Sequence, residues 1–224
     1  MPQPSTRISR LSEKQSASRA ELNALLDATP LATIALIRDG HPVVFPTGFA
    51  RLDDEFVIHG STGSPWMRAA ADGAAVAVSV TTLDGVVVAR SGFESSFHYR
   101  SAVLYGTFEL IEAAHHEAYL EALTDTFIPG RVAELRASNR RELAATMALR
   151  LPIGEDNWSL KVSAGWPQDP DEDVAAGAWA GVVPLTTVYG EPRRAPDCPS
   201  EIPVPGSVQG MTGELANRRP GARG

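Results

Sequence analysis

One cysteine, Cys198, stands in a chain of 224 residues. It cannot form an intramolecular disulfide or a cysteine zinc cage, and so poor a cysteine content fits a reducing compartment, with the cytoplasm as the expected location. Lysine is almost as scarce: two residues against eighteen arginines, with 27 acidic side chains setting a formal net charge of −7. No global positive field exists to attract nucleic acid, so an anionic ligand needs a local pocket. Long apolar runs are missing too. Residues 74–80 and 85–89 fall far short of the roughly 20 residues of a membrane-spanning helix, and residues 1–19 mix charges with Ser and Pro, so no secretory signal is expected. Neither a nucleic acid nor a membrane is an expected partner.

Catalytic motifs are equally thin. His115 and His116 are helix neighbours facing different directions, not an i, i+4 metal pair. G-x-S-x-G is absent, as are a Walker phosphate loop and a G-x-G-x-x-G after the first strand, which leaves hydrolase and Rossmann readings unsupported. The acidic run Asp169–Asp173 is too sequential for a catalytic carboxylate pair and reads as a solvated turn.

What is present describes a globular chain, 43% hydrophobic and 21% charged. Ser18 and Glu21 have capping-box spacing ahead of a short helix that Pro30 must end. Residues 31–37, 42–50 and 55–59 read as a meander with turns at Asp39-Gly40 and at residues 52–54. Ser64, Pro65 and Gly73 mark the start and stop of another helix. Strands are expected at 74–82, 85–89 and 101–111, the first two separated by a turn at residues 83–85; later ones at 147–153, 158–164 and 179–188. Residues 112–127, and 139–146 with Asn139 and Glu142 at capping-box spacing, read as peripheral helices. Few intervening helices favour a mainly β fold, a small closed or partly closed antiparallel barrel. The division is an N-terminal arm at 1–17, one domain at 18–190, and a Pro/Gly-rich tail at 191–224 that reads as mobile or partner-hugging, six prolines lying beyond Gly190.

The loop His59-Gly60-Ser61-Thr62-Gly63-Ser64 offers hydroxyls, backbone N–H groups and a helix start, a place for phosphate without lysine. Its plainer role is a strand-to-helix turn in which Ser64 only caps. Tyr99-Arg100-Ser101, read as preceding a strand, would add a bidentate cation, or a surface ion pair. Lys161, central in its strand, is a candidate partner for a flavin ring or substrate carboxylate, or an outward strand residue. Trp158 and Trp166 are candidates to stack on a planar heterocycle, though such residues commonly pack in cores.

Taken in order, residues 41–47, 59–64, 84–91, 99–106, 129–131, 142–146, Lys161-Val162, 169–173 and 179–185 resemble the pyridoxamine 5′-phosphate oxidase-related, FMN-binding split-barrel family, in its flavin-nucleotide-binding branch, over about residues 7–192. The resemblance implies a six-stranded antiparallel split β-barrel and a homodimer binding FMN in a groove between subunits. The phosphate would then lie near His59–Ser64 and Arg100-Ser101, with His59, Gly60, Ser61, Thr62, Ser64, Tyr99, Arg100, Ser101, Trp158 and Lys161 as the cofactor-binding set. His98 stands where the family commonly has asparagine. No Arg-x-His-Asp-Arg segment lies near the C-terminus, so vitamin B6 oxidation is not implied. The implied function is a flavin-dependent oxidoreductase acting on a small molecule, with NAD(P)H as a candidate donor; a non-enzymatic flavin- or haem-binding stress or sensor protein is the alternative.

Overall fold

Local signals place the first elements in the computed structural model, which describes residues 4–214. The Ser18 hydroxyl accepts the Glu21 N–H at 3.2 Å and caps α1 (Arg19–Ala28), whose Leu22, Leu25 and Leu26 are fully buried. Glu21 does not close the capping box; its carboxylate takes the Ser16 hydroxyl instead. The expected meander follows as β2 (Leu31–Arg38), β3 (His41–Leu52) and β4 (Glu55–Ser61). Asp39 and Gly40 turn it with φ of 52° and 76°, the left-handed pair that matches strand twist in a two-residue hairpin. Helix α2 (Pro65–Ala71) starts on its proline, and Gly73 stops it at φ 87°.

The next segment departs from expectation. Residues 83–85 are not a turn but a β-bulge inside one strand, β5 (Ala75–Val88), because both halves pair with β6 (Ser96–Thr107) across a register shift. β6 therefore starts five residues earlier than its polar text indicated, and Tyr99-Arg100 lies within the strand rather than before it. Ser96, Phe97 and His98 are held by ladder partners Val87, Val86 and Gly85, a non-local pairing that overrides their weak periodicity.

After Phe108 the same run bends into β7 (Glu109–Leu110), which pairs with β8 (Thr146–Pro152). With β1 (Gln15–Ser16) and β9 (Trp158–Ser163), the antiparallel order is β1-β9-β6-β5-β2-β3-β4-β8-β7. Since β6 and β7 are one bent run, the path returns on itself and closes a barrel. Ten strands enter the sheet where six were implied; the additions include β1 and β7, of two residues each, and β10 (Gly181–Pro184), which pairs with the far half of β5. Of the strand expected at 179–188, only Gly181–Pro184 joins this sheet, and Val188 begins a separate two-stranded pair.

Phe49, Phe56, Ile34, Leu104 and Leu151 fill the interior with Met67 of α2 and the leucines of α1. Between β7 and β8 the chain makes a helical excursion, α3 (His116–Phe127) and α4 (Arg140–Ala145), the latter closed by the expected Asn139/Glu142 capping box. Leu123 of α3 seals a second apolar cluster with Ala50, Val57, Ile111 and Ala148.

The acidic run is solvated only in part: Asp171 and Glu172 are exposed, but the run is helical rather than a turn and the Asp169 side chain is buried. Residues 171–175 form helix α5 (Asp171–Ala175), and the Asp169 side chain, 1% exposed, accepts the Arg90 backbone N–H at 2.7 Å and pairs with its guanidinium at 2.8 Å. In the tail, α6 (Gly206–Gln209) buries Ser207, whose N–H and hydroxyl are both taken by the Glu134 carboxylate. β11 (Val188–Tyr189) pairs with β12 (Gly213–Glu214); the remainder of the tail, residues 215–224, lies outside the described residues. Among the described residues no helix is long and apolar enough to cross a membrane.

Candidate functional site

The expected site residues fall into two groups, and no hydrogen bond, ion pair or ring contact joins them. The first is the end of β4. His59, Gly60 and Ser61 pair with Ala148, Met147 and Thr146 of β8. Beyond them Thr62 gives its N–H and hydroxyl to the carbonyl of Ala145, the last residue of α4, while the Gly63 N–H goes to the Ser61 hydroxyl and the Ser64 N–H to the Ser61 carbonyl. The Ser64 side chain makes no capping bond to α2. The N–H groups of Thr62, Gly63 and Ser64, expected to face a phosphate, are therefore each bonded, one to α4 and two within the loop.

His59 itself points elsewhere. With Leu120, Thr124, Phe127, Ile128 and Thr146 it lines a pocket of about 290 Å³, its ring centroid 6.4 Å from that of Phe127. Although His59 stays exposed on its open side, desolvation by these neighbours lowers its pKa below the ordinary histidine value and favours the neutral imidazole.

The second group lies on β6 and β9, and strand register arranges those of its residues that face outward in rows. Val44, Ala35, Ala77 and Tyr105 are direct cross-strand partners on β3, β2, β5 and β6, an apolar row. Four residues along, and hence on the same face, Thr81, Ser101, Lys161 and Gln15 form a polar row across β5, β6, β9 and β1. Thr81 and Ser101 share a hydroxyl hydrogen bond of 2.9 Å, and the Lys161 ammonium stands 6.0 Å from the Tyr99 ring centre. Beside the apolar row a groove of about 700 Å³ runs between Ile37, Pro42, Ala75 and Tyr105.

Arg100 is not a free cation. The bulge in β5 aims Asp84 at it, and the pair is bidentate, Nε to Oδ2 at 2.9 Å and Nη2 to Oδ1 at 2.7 Å, with each side chain about one-third exposed. The hydrogen bond to Asp84 raises the Arg100 pKa above its ordinary value, against the opposing effect of burial. Sequence reading missed this partner because Asp84-Gly85 has the look of a turn. Trp158 is no stacking platform: it is 9% exposed, packs in the core, and spends its indole N–H on the Gly154 carbonyl at 3.0 Å. Trp166, 77% exposed, is free of the core.

A closed antiparallel barrel with one bent strand shared between its halves defines the class. A family model described as pyridoxamine 5′-phosphate oxidase matches residues 18–158, more than half of the chain, and the chain belongs to that split-barrel family. Among solved structures it is similar to the FAD and haem binding protein of Mycobacterium smegmatis, at 70% identity and a TM-score of 0.89, covering 90% of this chain and 98% of that one. It is also similar to the flavocytochrome Anf3 of Azotobacter vinelandii, at 33% identity and TM-score 0.86, covering 92% and 95% respectively. No curated protein sequence matches the chain.

Proposed function

We propose that this protein binds FAD and haem as a homodimer and works as an oxidoreductase on a small molecule. The observation that carries the reading is the 70% identity, over 98% of its length, to a protein described as binding FAD and haem. That name also moves the flavin expectation from FMN to FAD. A flavin supplies hydride and single-electron chemistry; the protein supplies orientation and charge.

The residues present fit both groups. For flavin, the outer face combines an apolar row and groove with the hydroxyls of Thr81 and Ser101 and the Lys161 ammonium, suited to an apolar ring with polar edges. For haem, His59 would be the residue to hold the iron, since its imidazole, shifted toward the neutral form, stands against Leu120, Phe127 and Ile128.

The dimer reading rests on the same outer face. Leu31, Ile37, Val44, Leu83, Phe97 and Val183 are each 50% exposed or more, an apolar display that a second copy would cover. Sedimentation should give about 48 kDa, twice the 23.9 kDa chain. The visible spectrum of the purified protein tests the cofactors: flavin bands and a haem Soret band are expected together. His59→Ala should lose the Soret band and keep the flavin, while substitutions of His41, His98, His115 and His116 keep both. A full Soret band in the His59 variant would exclude it as the ligand. Flavin bleaching on anaerobic addition of NADH or NADPH separates an enzyme from a carrier.

A further inference from the structure

We infer that Lys14, on the N-terminal arm, completes with Lys161 a diphosphate site on the outer face of β9, and that this pair makes the protein select FAD over FMN. The inference rests on the flavin reading above and adds to it a residue that determines which flavin is held.

Charge accounting points to the two lysines. Nine ion pairs form among the described residues, and every cation in them is an arginine. Neither Lys14 nor Lys161 takes part, although acidic residues outnumber basic ones, 27 to 20. Both lysines are half-buried, so neither ammonium is simply extended into bulk water as a surface lysine commonly is. A cation held against a surface without a carboxylate favours an anion brought by a ligand.

The fold brings the two together. β1 pairs with β9 so that Gln15 lies opposite Lys161 and Ser16 opposite Leu160, which sets Lys14 beside the next residues of β9. Its ammonium donates to the Ser163 hydroxyl at 3.3 Å, and that hydroxyl in turn donates to the Phe97 carbonyl at 3.1 Å. Alternation puts Ser163 and Lys161 on the same face of β9, two residues and about 7 Å apart along the strand. The Lys14 ammonium is thus seated on Ser163, the ladder partner of Tyr99, and the Lys161 ammonium stands 6.0 Å from the ring centre of that same Tyr99, with Ser101 the ladder partner of Lys161.

The arrangement suits two linked phosphoryl groups better than one. Arg100 is already neutralised by Asp84 and, one residue from Ser101, alternates to the opposite face, so it adds nothing to the charge of the lysine pair. A single phosphate can be met by Lys161 alone; Lys14, further along β9 and carried on the arm, is in register for the second phosphoryl of a dinucleotide. Riboflavin needs neither. Nicotinamide dinucleotides carry the same diphosphate, and the experiment separates them.

The test titrates the full-length apo-protein with FAD, FMN and riboflavin by quenching of flavin fluorescence, and with NADH by its own fluorescence, in wild type, Lys14→Met, Lys14→Arg and Lys161→Met. Loss of a charge-assisted contact corresponds to a tenfold or greater rise in Kd. Lys14→Met should raise the Kd for FAD at least tenfold and leave FMN and riboflavin within twofold; Lys14→Arg should stay near wild type; Lys161→Met should weaken FAD and FMN but not riboflavin. Inorganic pyrophosphate should compete with FAD at lower concentration than orthophosphate, and lose that advantage in Lys14→Met. Equal loss for all three flavins in Lys14→Met would reduce Lys14 to a structural anchor, and an unchanged FAD affinity would remove the site, while wild type still binds FAD. Loss of NADH affinity alone would assign the pair to a nicotinamide donor and overturn the assignment to FAD. Wild-type protein that takes up no flavin would overturn the reading beneath the inference instead.

Discussion

Replacing Asp169 by alanine removes both acceptors that hold Arg90, its backbone N–H at 2.7 Å and its guanidinium at 2.8 Å. The carboxylate is 1% exposed and Arg90 25%, and Arg90 Nε is already enclosed without a partner among the described residues. Breaking a buried pair from one side costs about 3–5 kcal/mol because the other charge is left stranded. The solvent that reaches Arg90 brings the expectation to the lower end, about 3 kcal/mol. With a urea m-value of about 2 kcal/mol/M, the unfolding midpoint should fall by about 1.5 M. The measurement uses apo-protein at one fixed concentration, since bound cofactor and a second subunit would shift the midpoint by mass action. Asp169→Asn keeps an acceptor for the N–H and should lose roughly half as much. Adding Arg90→Met to Asp169→Ala should recover part of the loss by removing the stranded cation. A midpoint within about 0.25 M of wild type in Asp169→Ala, as for a surface substitution of about 0.5 kcal/mol, would refute the buried pair.

Gly106→Ala would put a Cβ 2.6 Å from Leu151 Cδ1, inside a core where Leu151 is 1% exposed, so a loss of about 1–3 kcal/mol is expected in a thermal melt. Asn139→Ala removes the acceptor for the N–H groups of Arg141 and Glu142 and should cost about 1 kcal/mol in urea unfolding. Arg136, ahead of the Asn139 N–H, holds the Glu142 carboxyl down to about 2 from an ordinary 4.5. A depressed carboxyl stabilises the fold fully above its unfolded value and less as pH falls, so stability should decline between pH 4.5 and 2, and Glu142→Gln should flatten that part of the profile of midpoint against pH.

What was legible in the sequence was what four or five consecutive residues decide. Ser18, Asn139, Asp39-Gly40 and the Pro65-to-Gly73 frame act through the backbone groups beside them, and each appears where its chemistry places it. What was not legible depends on a distant partner. Asp84-Gly85 spells a turn until β6 pairs on both sides of it, and Asp169 spells a solvated run until Arg90, 79 positions away, buries it. The bonding of the loop at 59–64 was hidden for the same reason: the Ala145 carbonyl that occupies Thr62 comes from another element. Lys161 stood out by its rarity and its place in a strand, but its neighbour Lys14 becomes visible only once β1 is seen to pair with β9.

The helical excursion is placed so that it can change without the barrel changing. Glu109 and Leu110 lie opposite Arg150 and Leu149, so the chain leaves the sheet at one rung and re-enters beside it. Everything between is, topologically, the tip of a hairpin grown long enough to carry helices α3 and α4. Those helices supply Leu120, Phe127 and Ile128, the apolar wall beside His59, while His59 itself belongs to a barrel strand. Descendants of one ancestral barrel can therefore enlarge, reshape or shed that wall by changing the length of a single hairpin tip, with no strand re-registered, which makes the histidine pocket a detachable annex for evolution to work on.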